Sequence, residues 1–216
     1  MEYSVDFIVQ KILEALPGKE SYSKASLTQL LADAGIDVRE TEFALRYDVQ
    51  DRIIKEAKKA GYVLDYSEYD NTIGGAPFNE LAVIIKPGAV TEADFSWYSG
   101  GMRLVEDLAL VQTKILQREI QIRMFNGRRE LLKGFLFPVN SEQRVELFSL
   151  LEKCVSAWKK DDYSVDVCDG GSWEVRLLSG RKVRRKVCGT VKQPPLGRQL
   201  EKVVRKIVGG IDLYLF

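Results

Sequence analysis

The residue pattern predicts an α+β protein, and three observations carry that expectation. Three runs of helical period and then two of strand period fill the first 86 residues. After residue 102 the order becomes hairpin, helix, hairpin, helix, which gives an antiparallel sheet with helices packed on one face. The charge divides in the same place: residues 1–98 carry 10 Lys/Arg against 17 Asp/Glu, a net of −7, and residues 99–216 carry 22 against 14, a net of +8. A chain of 216 residues with that asymmetry is expected to form two domains, 1–87 and 103–216, joined by a linker at 88–102.

The first helix is predicted over residues 5–16, where Val5, Ile8, Val9, Ile12, Leu13 and Leu16 share one face and Pro17-Gly18 ends the run. A second is predicted from Lys24 to Ala34. Ser23 serves as its N-cap, Leu27, Leu30 and Leu31 form its apolar stripe, and Gly35 follows its C-terminus. The third is predicted from about Arg39 to Ala60, with Phe43, Leu45, Val49, Ile53, Ile54 and Ala57 on its apolar side. Strands are predicted from Tyr62 to Tyr66 and from Glu80 to Lys86, around a loop containing Gly74-Gly75-Ala76-Pro77.

Three helices and then a hairpin, within about 85 residues, resemble a winged-helix domain in which residues 67–79 form the wing. The resemblance implies DNA reading through the third helix. The charge argues otherwise, because phosphate neutralisation needs cations and this helix balances them. Arg39, Arg46, Arg52, Lys55, Lys58 and Lys59 are answered by Glu40, Glu42, Asp48, Asp51 and Glu56, and the wing holds Glu68 and Asp70 with no basic residue. Glu40, Glu42, Asp48 and Asp51 are therefore read as an acidic protein-contact surface.

Pro87-Gly88 and Gly100-Gly101 bracket the junction, and both pairs break regular structure. Phe95, Trp97 and Tyr98 between them imply a linker pinned by packing, since a free tether would not expose three rings.

Beyond the junction, Leu104 to Phe125 reads as β-type, and Asn126-Gly127 is a two-residue hairpin signal leading into a strand from Glu130 to Val139. Ser141 is placed as the cap of a helix running to about Lys159. Strands follow from Trp173 to Leu178 and from Lys182 to Cys188, then a helix from about Leu196 to Val208 and an apolar tail, Ile211 to Phe216, expected to add a strand. The run Cys168-Asp169-Gly170-Gly171-Ser172-Trp173, with Gly189 and Pro194-Pro195 before the last helix, resembles a small domain of bacterial proteins in which an Asp-Gly-x-x-Trp turn opens a hairpin. Gln193 departs from that pattern, which has an aromatic there. The resemblance implies a fold and no activity. It favours a bacterial or phage origin.

Composition restricts the chemistry. There is no His, so Ser-His and Cys-His nucleophile pairs and imidazole metal sites are excluded. Three cysteines at wide spacing, Cys154, Cys168 and Cys188, predict reduced thiols and no disulfide framework. The first residues lack the basic and apolar regions of a secretion signal, and no apolar run reaches the roughly 20 residues of a membrane span, so a cytoplasmic protein is expected. No cofactor motif is present.

Two constellations remain. Asp166 or Asp169 followed by Glu174-Val175-Arg176 resembles the Asp…Glu-x-Lys layout of metal-dependent nucleases, but Arg stands in place of Lys and cannot readily act as a base. The densest cationic run is Arg181-Lys182-Val183-Arg184-Arg185-Lys186, which Arg176, Arg198, Lys202 and Arg205 extend to a basic patch for a nucleic acid or an acidic protein surface. Its alternatives are a strand edge protected by charge and a contact with the acidic domain of the same or a second copy, which would make a homodimer. Beside the run, Cys188 is either activated by the cations or a packed thiol.

The reading as a whole is a non-catalytic regulator or adaptor whose partner is another protein, with nucleic acid as the alternative through the basic patch. A winged-helix transcriptional regulator is the second reading. A phage-type inhibitor that presents an acidic surface to a nucleic-acid enzyme is the third.

Overall fold

The computed structural model describes residues 4–19, 21–36, 47–66, 81–100, 107–166, 170–209, 211 and 213–216. The chain is α+β and forms two compact units, Met1–Ala89 and Val90–Phe216.

In the first unit the order is α1 (Val5–Ala15), β1 (Tyr22–Ser26), α2 (Leu27–Asp33), α3 (Tyr47–Lys59), β2 (Val63–Tyr66) and β3 (Leu81–Ile85). Ser4 caps α1 by accepting from Phe7 N, and Leu16–Gly18 tightens into a 3₁₀ turn at the proline. Residues 24–26, predicted as the start of a helix with Ser23 at its cap, belong instead to the strand β1. This strand pairs antiparallel with β3, from Tyr22 opposite Ile85 to Ser26 opposite Leu81. The sheet order is β1-β3-β2, so β3 takes partners on both sides. Ile8, Val9 and Ile12 of α1 and Leu16 of the turn after it join Leu30, Leu31, Ile53, Ala57, Leu64 and Ile84 in one core. Gly35 (φ 74) and Gly61 (φ 84) occupy the left-handed region that lets the chain leave α2 and α3.

The second unit is a six-stranded antiparallel sheet in the order β7-β6-β5-β4-β8-β9. Its strands are β4 (Glu92–Tyr98), β5 (Leu108–Ile115), β6 (Glu119–Asn126), β7 (Leu131–Pro138), β8 (Ser172–Ser179) and β9 (Lys182–Gly189). Helix α4 (Ser141–Ala157) follows β7, and α5 (Gly197–Val208) follows β9. The segment predicted as a linker is thus a central strand, with β5 on one side of β4 and β8 on the other. Its alternation explains why. Ala93 and Phe95 are buried, while Glu92, Asp94 and Ser96 point to the other face.

Other expectations shift locally. Asn140, not Ser141, caps α4, in a capping box with Gln143: Gln143 N donates to Asn140 Oδ1 at 2.9 Å and Asn140 N donates to Gln143 Oε1 at 3.0 Å. The hairpin after Asn126 is real but its turn is longer than two residues. Arg129 takes the left-handed conformation (φ 63), and Asn126 Oδ1 accepts from Arg128 N and Glu130 N. The long β-type stretch is split into β5 and β6 by a tight turn at Gln117-Arg118, closed by Leu116 N donating to Glu119 O at 2.8 Å.

Among the described residues of the tail beyond α5, 211 and 213–216, none lies in a strand, and the segment serves as core. Leu213 and Leu215 are buried, and Tyr214 stacks on Trp97 with ring centroids 4.7 Å apart. The Phe216 ring meets Trp173 (5.2 Å), Phe95 (5.7 Å) and Trp158 (6.3 Å) edge-on. Trp158 Nε1 donates to Pro195 O at 2.7 Å, fastening the end of α4 to the residues that lead into α5. This packing accounts for the glycines around the Asp-Gly-x-x-Trp stretch. A Cβ on Gly189 would stand 2.7 Å from Cε2 of Trp173, and one on Gly171 would stand 2.9 Å from Trp97 Nε1 and from Tyr98 O.

Candidate binding surfaces

One face of the six-stranded sheet carries a polar array. The register sets Gln121, Lys114, Asp94, Arg176 and Lys186 side by side across five strands. A second row holds Arg123, Gln112, Ser96, Glu174 and Cys188. These side chains share a face because opposite residues in an antiparallel sheet point the same way. Asp94 lies between two cations, with Arg176 Nη2 at 3.1 Å and Lys114 Nζ at 4.0 Å. Lys114 also reaches Glu92 at 2.5 Å, and Lys186 reaches Glu174 at 2.9 Å. Desolvation raises the Asp94 pKa, with Glu92 adding to the rise, and this outweighs the two cations. Hydrogen bonding to Glu92 raises that of Lys114. A shallow groove of about 220 Å³ runs over the array between Asp94, Gln112, Gln121, Arg123 and Arg176. Arg123 is exposed there and has no ion-pair partner among the described residues.

The predicted basic patch does not assemble as one surface. Arg176 and Lys186 belong to the array just described, each paired with an acid. Arg184 and Arg185 turn toward the helical layer. Arg184 Nη1 donates to both carboxylate oxygens of Glu152 on α4, at 2.7 and 2.9 Å. Arg185 pairs with Asp161 at 2.8 Å and donates to Lys160 O at 2.9 Å. Strict alternation along β9 would put Arg184 and Lys186 on one face, but the register slips between Leu177 and Leu178 and separates them. Arg205 on α5 donates to Leu213 O at 2.8 Å and holds the tail. Arg181, Lys182, Arg198 and Lys202 are exposed and unpaired among the described residues, but the first two lie at the β8–β9 turn and the others on α5.

Cys188 is not activated by its cationic neighbours. Burial raises its pKa, and Asp162 and Glu174 push it further up. Its Sγ donates to Asp161 O at 3.6 Å. Cys154, on the buried side of α4, has its pKa pushed up to about 12 by desolvation.

On the acidic side, Glu40 and Glu42 lie outside the described residues, as do the side chain of Asp48 and residues 67–79 of the predicted wing. Asp51 is exposed on α3, where Arg52 pairs with Asp6 of α1 and Lys59 pairs with Glu56 at 2.6 Å. Of the nuclease constellation, Asp166 is exposed and Asp169 lies outside the described residues, while Glu174 and Arg176 are engaged in separate ion pairs. Among the described residues no group of three or more Cys, Asp or Glu is placed to hold a metal ion, and no helix is long and apolar enough to cross a membrane.

Sequence reasoning missed Asp94, Glu152 and Asp161, the acids that answer the arginines. Asp94 had a signal, the polar–apolar alternation of residues 92–97. The other two had none, since only the tertiary packing sets them against β9. Comparison with protein-family models and with curated proteins finds no match.

Proposed function

We propose that this chain is a non-catalytic adaptor or regulator that works by binding another protein. The observation that carries the reading is the internal neutralisation of the basic strand. Arg176, Arg184, Arg185 and Lys186 are matched by Asp94, Glu152, Asp161 and Glu174 within the same unit. Such pairs add little stability at a surface, but they weaken the field a phosphate backbone would feel at these four cations. Nucleic-acid affinity rests on uncompensated cations that release counterions. The first unit is net negative, with 10 Lys/Arg against 15 Asp/Glu over residues 1–89. The polar array on the sheet, with both signs interspersed and a shallow groove, suits a protein rim of alternating charge.

A winged-helix DNA-binding regulator is the second reading. The element order α1-β1-α2-α3-β2-β3 and the sheet order β1-β3-β2 favour a winged-helix architecture for the first unit. On the first reading, that scaffold is used for protein contact. Titrating labelled duplex DNA and single-stranded RNA with the full chain at low salt separates the two. The protein-binding reading expects no saturable binding, together with a partner captured from the source cell that survives nuclease treatment. Micromolar duplex binding that falls steeply with salt would replace it with the second reading.

A further inference from the structure

The two outer strands of the six-stranded sheet are β7 and β9, and β7 presents an apolar edge. Leu131, Leu132 and Leu136 are 59%, 45% and 61% exposed, and Phe135 and Phe137 are half-buried. The hydrogen-bond pattern identifies which β7 backbone groups have no partner among the described residues. Val139 N donates to Arg118 O at 2.9 Å. Opposite residues in an antiparallel pair alternate between exchanging both backbone bonds and exchanging none. Counting along the register, Ile120–Phe137, Ile122–Phe135 and Met124–Lys133 are bonded pairs. Gly134 and Leu136 therefore direct their N–H and C=O away from β6. Leu132 lies at the register shift, where the alternation is interrupted.

We propose that β7 is a self-pairing edge, through which two copies of this chain join antiparallel about a two-fold axis at Phe135. The strand is complementary to itself in that register. Gly134 and the partner's Leu136 exchange both backbone bonds, and Leu136 does the same with the partner's Gly134, so the free groups on each copy meet each other. Phe135 faces its own counterpart in a non-bonded pair, where side chains come closest. Lys133 stands opposite the partner's Phe137, a cation against a ring instead of a second cation. Gly134 leaves room opposite Leu136, since nothing lies within 4 Å of where its Cβ would be. Pro138 has no N–H and ends the ladder. No like charges oppose each other anywhere in the pairing.

Sedimentation velocity of the full chain, from low to several hundred micromolar, combined with residue-resolved amide exchange, tests the proposal. The expected result is a monomer–dimer transition in which the Gly134 and Leu136 amides slow with concentration, while those of Phe135 and Phe137 are protected throughout. Leu136→Asp sets two carboxylates near the axis from an exposed position. It should weaken dimerisation by roughly tenfold or more and leave the circular dichroism unchanged. Gly134→Pro, which removes an outward N–H and no bond to β6, should act in the same direction. A chain that stays monomeric, a dimer in which those two amides exchange as in the monomer, or variants that both dimerise like the parent would each overturn it.

Discussion

The sheet of the second unit has one guarded edge and one open edge. Strand β9 carries Lys182, Arg184, Arg185 and Lys186, bends at a register slip, and is partly covered where Asp162 bridges to Cys188. Tyr163 N donates to Cys188 O at 2.8 Å and Cys188 N to Asp161 O at 2.9 Å, so backbone groups at that end of β9 are satisfied within the chain. Strand β7 has Lys133 as its one charged residue, no cover among the described residues, and leucines exposed on it. Charges, bulges and covering loops are the devices by which sheet edges avoid pairing with foreign strands. Among the described residues these devices are concentrated on β9 and sparse on β7.

The largest expected effect compares one glycine from each edge. Gly189→Ala forces a methyl group into the Trp173 ring and should cost about 1–3 kcal/mol, whereas Gly134→Ala meets open space and should be neutral or stabilise by about 0.5 kcal/mol. Urea unfolding at concentrations that keep the chain monomeric measures both. Equal losses at the two sites would mean that β9 is no more tightly built than β7.

Next comes the anchor of β9 on α4. Glu152 is 16% exposed and accepts from Val90 N as well as from Arg184. Glu152→Ala removes the carboxylate that Val90 N and the Arg184 guanidinium share, and should lower stability by about 2 kcal/mol. Lys133→Ala on β7 breaks no ion pair among the described residues and should stay within about 0.5 kcal/mol of the parent. A loss at Glu152 no larger than at Lys133 would remove the anchor from the account.

The smallest effects are in pH dependence, and they carry opposite signs. The Asp94 pKa is raised in the fold, so its contribution to stability is fully present below the ordinary carboxylate value of 3.8 and is lost as pH rises through the raised value. Asp162, in the segment covering β9, has its pKa lowered by hydrogen bonds from Ser164. Its contribution is present above 3.8 and is lost as pH falls through the lowered value. Denaturant midpoints of Asp94→Asn and Asp162→Asn against the parent, from acid to neutral pH, should therefore differ from it with opposite slopes. Slopes of the same sign would contradict the two environments.

The success of the residue pattern follows from what each element needs locally. The α1 stripe, the β8–β9 hairpin at Ser179-Gly180 and the α5 stripe are set by period and breakers, and their bounds agree with the fold to within a residue or two. The failures have physical causes. Lys24 to Ser26 belong to β1 because β3 needs a partner on its second side, a demand made from more than fifty residues away. Glu92–Tyr98 carries a period-2 pattern, but flanking Pro-Gly and Gly-Gly pairs mimic the ends of a tether. The same pairs can also be the turns that release a strand. Gln117-Arg118 turns the chain without any Gly, Asn or Pro, because cross-strand packing of Ile115 on Ile120 fixes the register there.

Sequence alone determined the α+β class, the division of charge, the absence of imidazole chemistry and most helix faces, because each depends on composition or on neighbours a few residues apart. Tertiary structure decided which cations are free, which strands lie at the edges and where the tail packs. Those properties depend on groups distant in the chain: Glu152 for Arg184, Asp94 for Arg176, and Trp173 for Phe216. Electrostatic compensation and edge exposure are relations between elements, and no single segment contains them.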